Sequence, residues 1–350
     1  MAVRRRRGTT ASLALTAALG VGAALLLSAC GPDEVPAAGS TTASPAASAP
    51  AAGKPTGTAK PAPAPTGKGS AAPTAAPLPA HGTGVPHLTV SNGTELVALA
   101  DSTVDFHTAV RDLSWSPDGT RAVFIDGKGD LVTSKPDGTD QQVRATNPGG
   151  QTWSHPTWES AKPSQAADVN HEYLTFTVDA GGSTQLYEVP TTGAPAAPTP
   201  LPIGDSEPDS PKLPTTGNTW ANAAGTQGSM TYANTADGKV YVRDDYLRLN
   251  TYSVGAGSEP AVSPQGGEVV FVRSVGGHDH LFLDKFDQQT PQIQDLTPNA
   301  TTDYTEPAWS PDGKELAVRT PDGVVSLPAD GSLQPHPVAT HPIGLPAYRA

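Results

Sequence analysis

The chain has 350 residues, a formal net charge of −12, a single cysteine, 36 glycines and 37 prolines. An acidic chain of this kind repels nucleic acid and anionic lipid head groups, which excludes phosphate-backbone binding as its role. One cysteine excludes an internal disulfide, so stability must come from burial.

Residues 1–30 carry a basic cluster, Arg4 to Arg7, an apolar run from about Ala11 to Leu27, and then small residues. This is the layout of an export signal rather than of a domain. The run ends in Leu27-Ser28-Ala29-Cys30, which resembles the lipobox of bacterial lipoproteins. That resemblance implies lipid on Cys30, cleavage just before it, and a lipid-anchored position outside the cytoplasm. Arg7 is followed by Gly8-Thr9-Thr10, so the choice between the general and the twin-arginine export routes stays open.

Residues 31–85 are almost wholly Ala, Pro, Gly, Ser and Thr. They hold too little apolar surface to offset the entropy of ordering, and the segment reads as a disordered linker. A random coil of its length spans ~40 Å, and a fully extended one approaches ~170 Å.

From residue 86 to 350 the texture changes to short apolar runs punctuated by Gly, Pro, Asp and Asn, with no sustained helical period. This part carries 15 basic and 32 acidic residues, a net −17. Trp115-Ser-Pro-Asp-Gly119 recurs as Trp309-Ser-Pro-Asp-Gly313, with a near copy at Val262-Ser-Pro-Gln-Gly266. In each, Pro presets φ at the second turn position and Gly takes the left-handed conformation at the end. Apolar strands follow at Arg121 to Ile125, Glu268 to Val272 and Glu315 to Val318. They are continuous runs, so they pack on both faces.

Weaker starts are expected at His155-Pro-Thr-Trp158 and at Glu207-Pro-Asp-Ser-Pro211, the latter aligned with Glu259-Pro260 and Glu306-Pro307. Further Asp-Gly turns at Asp137, Asp237, Asp322 and Asp330 divide each unit into about four strands. The expected fold is therefore all-β: a propeller of four-stranded antiparallel blades behind a disordered tether. Five starts are visible. Strands near His87 to Val90 and Glu95 to Leu99 can share a sixth blade with Gly344 to Ala350 and close the ring. Five or seven blades are left open.

These repeats resemble the WD40-like propeller repeats of TolB-type proteins, in which a Trp-Ser-Pro-Asp-Gly stretch begins each blade. The resemblance covers residues 87 to 350 and implies a binding platform. TolB itself is a soluble periplasmic protein with an extra N-terminal domain, where this chain has a lipobox and a tether, so its partners do not carry over. In style the chain is similar to the propeller lipoproteins of actinobacteria, some of which accompany sensor kinases.

Trp115, Trp158 and Trp309 are expected to pack between blades. No Gly-x-Ser-x-Gly elbow or Cys-x-x-Cys is present, and His171-Glu172 leads to Thr175 where a zinc protease needs a second histidine. No enzyme activity, cofactor or metal is expected. His278-Asp279-His280 could share an ion from one strand face but reads as a solvated hairpin tip.

Two insertions, Glu159 to Asn170 and Lys212 to Gly228, read as neighbouring loops, with Lys162, Lys212 and Trp220 as candidate partner contacts. The leading expectation is a monomeric, membrane-tethered module that binds an unidentified protein or cell-envelope component. The alternative is a sensor holding a sugar, peptide or ion in the central channel; a propeller lyase or hydrolase ranks below both.

Overall fold

A computed structural model describes residues 78–163, 170–203, 213–244, 250–285, 292–332, 334–340 and 344–350. The lipobox residues Leu27, Ser28, Ala29 and Cys30, and Lys212, lie outside them. Among the described residues, 24 strands form six four-stranded antiparallel sheets, and there is no helix.

Blade 1 joins β1 (Leu88–Ser91), β2 (Leu96–Ala98) and β3 (Thr103–Asp105) to the last strand of the chain, β24 (Leu345–Tyr348). Blade 2 is β4 (Arg111–Trp115), β5 (Ala122–Ile125), β6 (Leu131–Ser134) and β7 (Gln142–Ala145). Blade 3 is β8 (Thr152–Ala161), β9 (His171–Ala180), β10 (Ser183–Pro190) and β11 (Thr199–Pro200). Blade 4 is β12 (Asn218–Ala223), β13 (Ser229–Asn234), β14 (Lys239–Asp244) and β15 (Asn250–Ala256). Blade 5 is β16 (Ser258–Val262), β17 (Glu268–Val275), β18 (His278–Lys285) and β19 (Gln294–Asp295). Blade 6 is β20 (Thr305–Trp309), β21 (Glu315–Thr320), β22 (Gly323–Pro328) and β23 (His336–Thr340).

The ring closes as the sequence suggested. β24 pairs with β1 in the register Leu88↔Tyr348, Val90↔Pro346 and Ser91↔Leu345, so the two ends of the domain share one blade. Pro346 is tolerated because β24 is the inner edge strand and its missing N–H faces the axis rather than a ladder partner.

The second strand of each blade is the most buried, as its unbroken apolar run demands: every residue of β5 is buried, and so are Val269 to Val272 of β17. Its two faces serve two interblade layers. Val123 and Ile125 pack with Trp153 and Phe176 of blade 3, and Leu88 and Val90 pack with Ala317 and Val324 of blade 6. Each fully buried Phe or Leu contributes about 2–3 kcal/mol of transfer free energy. The core is thus a ring of layers between blades.

The repeated turn works by local hydrogen bonding. Ser116 Oγ donates to Asp118 at 2.6 Å, Gly119 N–H donates to the Ser116 carbonyl at 2.8 Å, and Arg121 N–H returns to Ser116 Oγ at 3.0 Å. Ser310 and Asp312 repeat this at 2.8 Å, and Ser263 closes the near copy with Gly266 at 2.8 Å. Gly119 has φ +65° and a carbon added there would meet the Ala350 carbonyl oxygen at 2.4 Å, so glycine is required twice over.

Three expectations need correction. The start placed at Glu207-Pro-Asp-Ser-Pro211 falls outside the described residues, and the inner strand of blade 4 is β12, beginning at Asn218. Trp220 therefore lies in a strand and not in a loop. Glu159 likewise belongs to β8, where Glu159 pairs with Tyr173 and Ala161 with His171; only the tip of that insertion is a connection. Both polar segments stay in the sheet because partners on the adjoining blade satisfy them: Arg243 of β14 reaches Glu159, and Ala223 exchanges hydrogen bonds with Thr157. The two hairpins do emerge side by side, joined by Lys162 N–H to the Thr226 carbonyl at 3.1 Å.

Candidate functional site

Five of the six inner strands carry the same defect. The ladder between first and second strands slips once in each of blades 2 to 6, at Asp112, His155, Trp220, Glu259 and Glu306. Each of these residues has positive φ, between +49° and +58°. A non-glycine residue in that region costs about 1–2 kcal/mol, and a bulge of this type re-aims a side chain. Five repetitions around one axis mark a built feature.

These residues sit near the rim where the inner strands begin. Asp112, His155, Trp220 and Glu306 line an axial channel of about 310 Å³, whose far end is formed by the hairpin residues Ser116, Pro264 and Pro311. The ring is tied blade to blade. Asp112 Oδ2 accepts the His155 N–H at 3.2 Å, Thr177 Oγ1 accepts the Trp220 N–H at 3.0 Å, and Glu259 Oε2 accepts the Glu306 N–H at 2.7 Å. The His155 and Trp220 rings stack with centroids 3.6 Å apart.

The electrostatics are acidic and strained. Burial raises the Glu306 carboxyl to about 7; Arg319, 2.8 Å from Oε1, offsets this only in part, while Glu259 and Asp112 push the same way as burial. Burial also raises Glu259. His155 moves the other way: burial lowers its pKa despite Asp112, so the ring is neutral at neutral pH. Carboxylates thus outnumber, among the described residues, the one guanidinium, Arg319, that acts on Glu306 and Glu259. Among the described residues, Glu306 Oε2, His155 Nδ1 and Trp158 Nε1 are buried without a hydrogen-bond partner. Such groups in a channel wall are what an incoming ligand satisfies.

The tryptophans do pack between blades. Trp115 Nε1 donates to Thr89 Oγ1 at 3.0 Å, and Trp309 Nε1 to the Ala261 carbonyl at 2.9 Å. Trp158 is equally buried, at 8% exposed, but its indole N–H faces the channel wall unmet.

The structure separates Trp220 from Lys162. Trp220 joins the ring at the start of its strand. Lys162 lies just past the end of β8, near the opposite rim, exposed and 3.9 Å from Glu172. His278 and His280 do not converge on one ion position: His278 Nδ1 lies 3.2 Å from Asp303 and His280 Nδ1 2.9 Å from Asp295. His280 is buried rather than solvated.

Sequence reading placed His155, Glu259 and Glu306 at blade starts but missed Asp112 and the four as a set of site residues. One signal was present: each stands three residues before Trp115, Trp158, Val262 or Trp309, and three of the four precede proline.

No protein-family model and no curated protein matches the sequence. Among solved structures, the chain is similar to TolB from Acinetobacter baumannii at 15% identity and TM-score 0.52, covering 75% of this chain and 66% of that one, just under two thirds of its length. A TolB-like protein from Agrobacterium tumefaciens aligns at 16% identity and TM-score 0.49, over 72% of this chain and 87% of that one. At these identities the likeness speaks of fold alone: the chain is a six-bladed β-propeller with TolB-like propellers among its structural neighbours.

Proposed function

We propose that this protein is an exported lipoprotein, held at the outer face of the membrane through Cys30, whose propeller binds a protein or envelope component without catalysing a reaction. The observation that carries the binding role is the ring of five bulge residues at positive φ, of which Asp112, His155, Trp220 and Glu306 line one channel and Glu259 holds the Glu306 backbone. Carboxylates beside a stacked aromatic pair suit a basic side chain, which gains both charge pairing and a cation–π contact. The acidic domain steers such a partner toward the mouth.

The test is crosslinking on intact membranes, comparing the wild-type chain with an E259Q/E306Q variant. A specific co-purifying protein captured by the wild type and lost from the variant supports the reading. Equal capture by both removes the channel mouth as the docking surface. Retention of the C30S variant in the membrane fraction would remove the lipid anchor.

A second reading, a sensor for a small ligand, draws on the channel-lining residues Trp158 and His155, whose Nε1 and Nδ1 are buried and unmet. A thermal-shift screen of small cationic compounds on the isolated protein separates it from the first, because it needs no partner.

A further inference from the structure

Away from the channel, three chemistry-bearing side chains meet on the face of blade 3 that packs against blade 4. The strand registers place them there: Glu159 lies opposite Tyr173, Ala161 opposite His171, and Glu188 opposite Thr175. Paired residues and residues two apart share a face, so Glu159 of β8, His171 of β9 and Glu188 of β10 all point the same way. Their side chains are 0%, 15% and 14% exposed.

We propose that Glu159, His171 and Glu188 form a binding site for one divalent transition-metal ion of the zinc class. His171 Nε2 lies 3.9 Å from Glu159 Oε1 and 3.8 Å from Glu188 Oε2, and the three ligand atoms lie within 4.8 Å of one another. Both measured separations are too long for a hydrogen bond. A tetrahedral ion with bonds of about 2.0–2.1 Å sets its ligands about 3.4 Å apart. A bridging water with hydrogen bonds of about 2.8 Å would set them about 4.6 Å apart. The two separations from His171 fall nearer the metal geometry, and closing each needs side-chain shifts of about half an ångström.

The surroundings orient the ligands. Thr175 Oγ1 donates to Glu159 Oε2 at 2.9 Å, and Arg243 Nη1 of blade 4 donates to Oε1 at 2.6 Å. Such outer contacts fix the direction of a ligating carboxylate. Arg243 occupies one acceptor position of Oε1, and an sp² carboxylate oxygen has a second. Among the described residues, the carboxylates of Glu159 and Glu188 outnumber the guanidinium of Arg243, which favours a cation. One nitrogen and two oxygens make a donor set that zinc accepts, with a fourth position left for water.

The experiment uses the full-length chain, made without a histidine tag, stripped with EDTA and titrated with zinc chloride and, separately, cobalt chloride. The expected result is one ion per chain, a raised melting temperature with zinc, and intense visible bands of tetrahedral cobalt. His171→Gln and Glu188→Gln should each weaken uptake tenfold or more, while a His278→Ala/His280→Ala variant keeps it. The near-ultraviolet circular dichroism of each variant reports whether it is folded, and either folded variant suffices for the comparison. A natively folded wild-type chain that takes up no ion overturns the proposal in favour of a water-filled charge network. So does uptake that survives both His171→Gln and Glu188→Gln, or that disappears only with His278 and His280.

Discussion

Glu259 Oε2 accepts the backbone N–H of Glu306 at 2.7 Å, so a side chain of blade 5 holds the strained turn of blade 6 in place. The same relation links Asp112 to the His155 N–H at 3.2 Å. The ring is thus braced across two of its seams: Asp112 caps the His155 donor and Glu259 caps the Glu306 donor, while Asp112 and Glu306 line the channel.

Glu259→Ala removes that acceptor and leaves a half-buried N–H unmet, and should cost about 1–2 kcal/mol. Glu259→Gln keeps an acceptor and should cost much less. Urea unfolding of both variants checks the difference; equal losses would mean that the hydrogen bond does not brace the ring.

Glu306 makes stability depend on pH. Its folded-state pKa, about 7, lies above the ordinary 4.5, so between these values the folded protein holds the extra proton. Stability from this group is full below about 4.5 and declines as pH rises through 7. Glu306→Gln should flatten that decline. Because the partly buried His155 and His171 titrate with the opposite sign, the quantity to measure is the difference in melting temperature between variant and wild type from pH 4 to pH 8. A difference that does not change with pH contradicts the assignment. Binding of a basic partner at the mouth should likewise weaken as pH falls below 7 and as salt is raised.

Trp158 and Trp309 stand at equivalent places but should respond differently to replacement by Phe. Trp309→Phe strands the Ala261 carbonyl and should cost about 1 kcal/mol more than Trp158→Phe, whose lost N–H had no partner. If the channel wall receives a ligand, Trp158→Phe should weaken binding while leaving the unfolding midpoint almost unchanged. Paired denaturation and binding curves decide this.

Removing residues 344–350 takes away the strand that closes blade 1. It also removes Arg349, which lies 5.4 Å over the Trp115 ring and donates to the Gly119 carbonyl at 2.7 Å. An open edge and an uncovered Trp115 should cost about 4 kcal/mol or more and promote association. Light scattering and thermal unfolding of the truncated chain provide the check.

Much of the fold was legible because the blade-forming signals are local. Ser-Pro-Asp-Gly makes its own hydrogen bonds within five residues, so Ser116 and Ser310 announce a hairpin wherever they stand. The start of blade 4 was misplaced because β12, Asn-Thr-Trp-Ala-Asn-Ala, has no such turn and little apolar content. Its polar groups are met across blades, as when Asn222 accepts the Val262 N–H at 2.9 Å. Pairings of that range leave no mark on neighbouring residues in the chain.

The candidate sites divide in the same way. Sequence alone determined the repeat and the acidic character of the domain and suggested the ring-closing termini, since periodicity, turn chemistry and charge are carried by adjacent residues. Only the tertiary structure decided that Asp112, His155, Trp220, Glu259 and Glu306 form one ring of bulges, four of them lining a channel, and that Glu159, His171 and Glu188 share one blade face. Side chains of different chemistry become equivalent only when a bulge recurs on successive inner strands, or when strand registers bring distant residues to one face. That equivalence is a property of the closed ring.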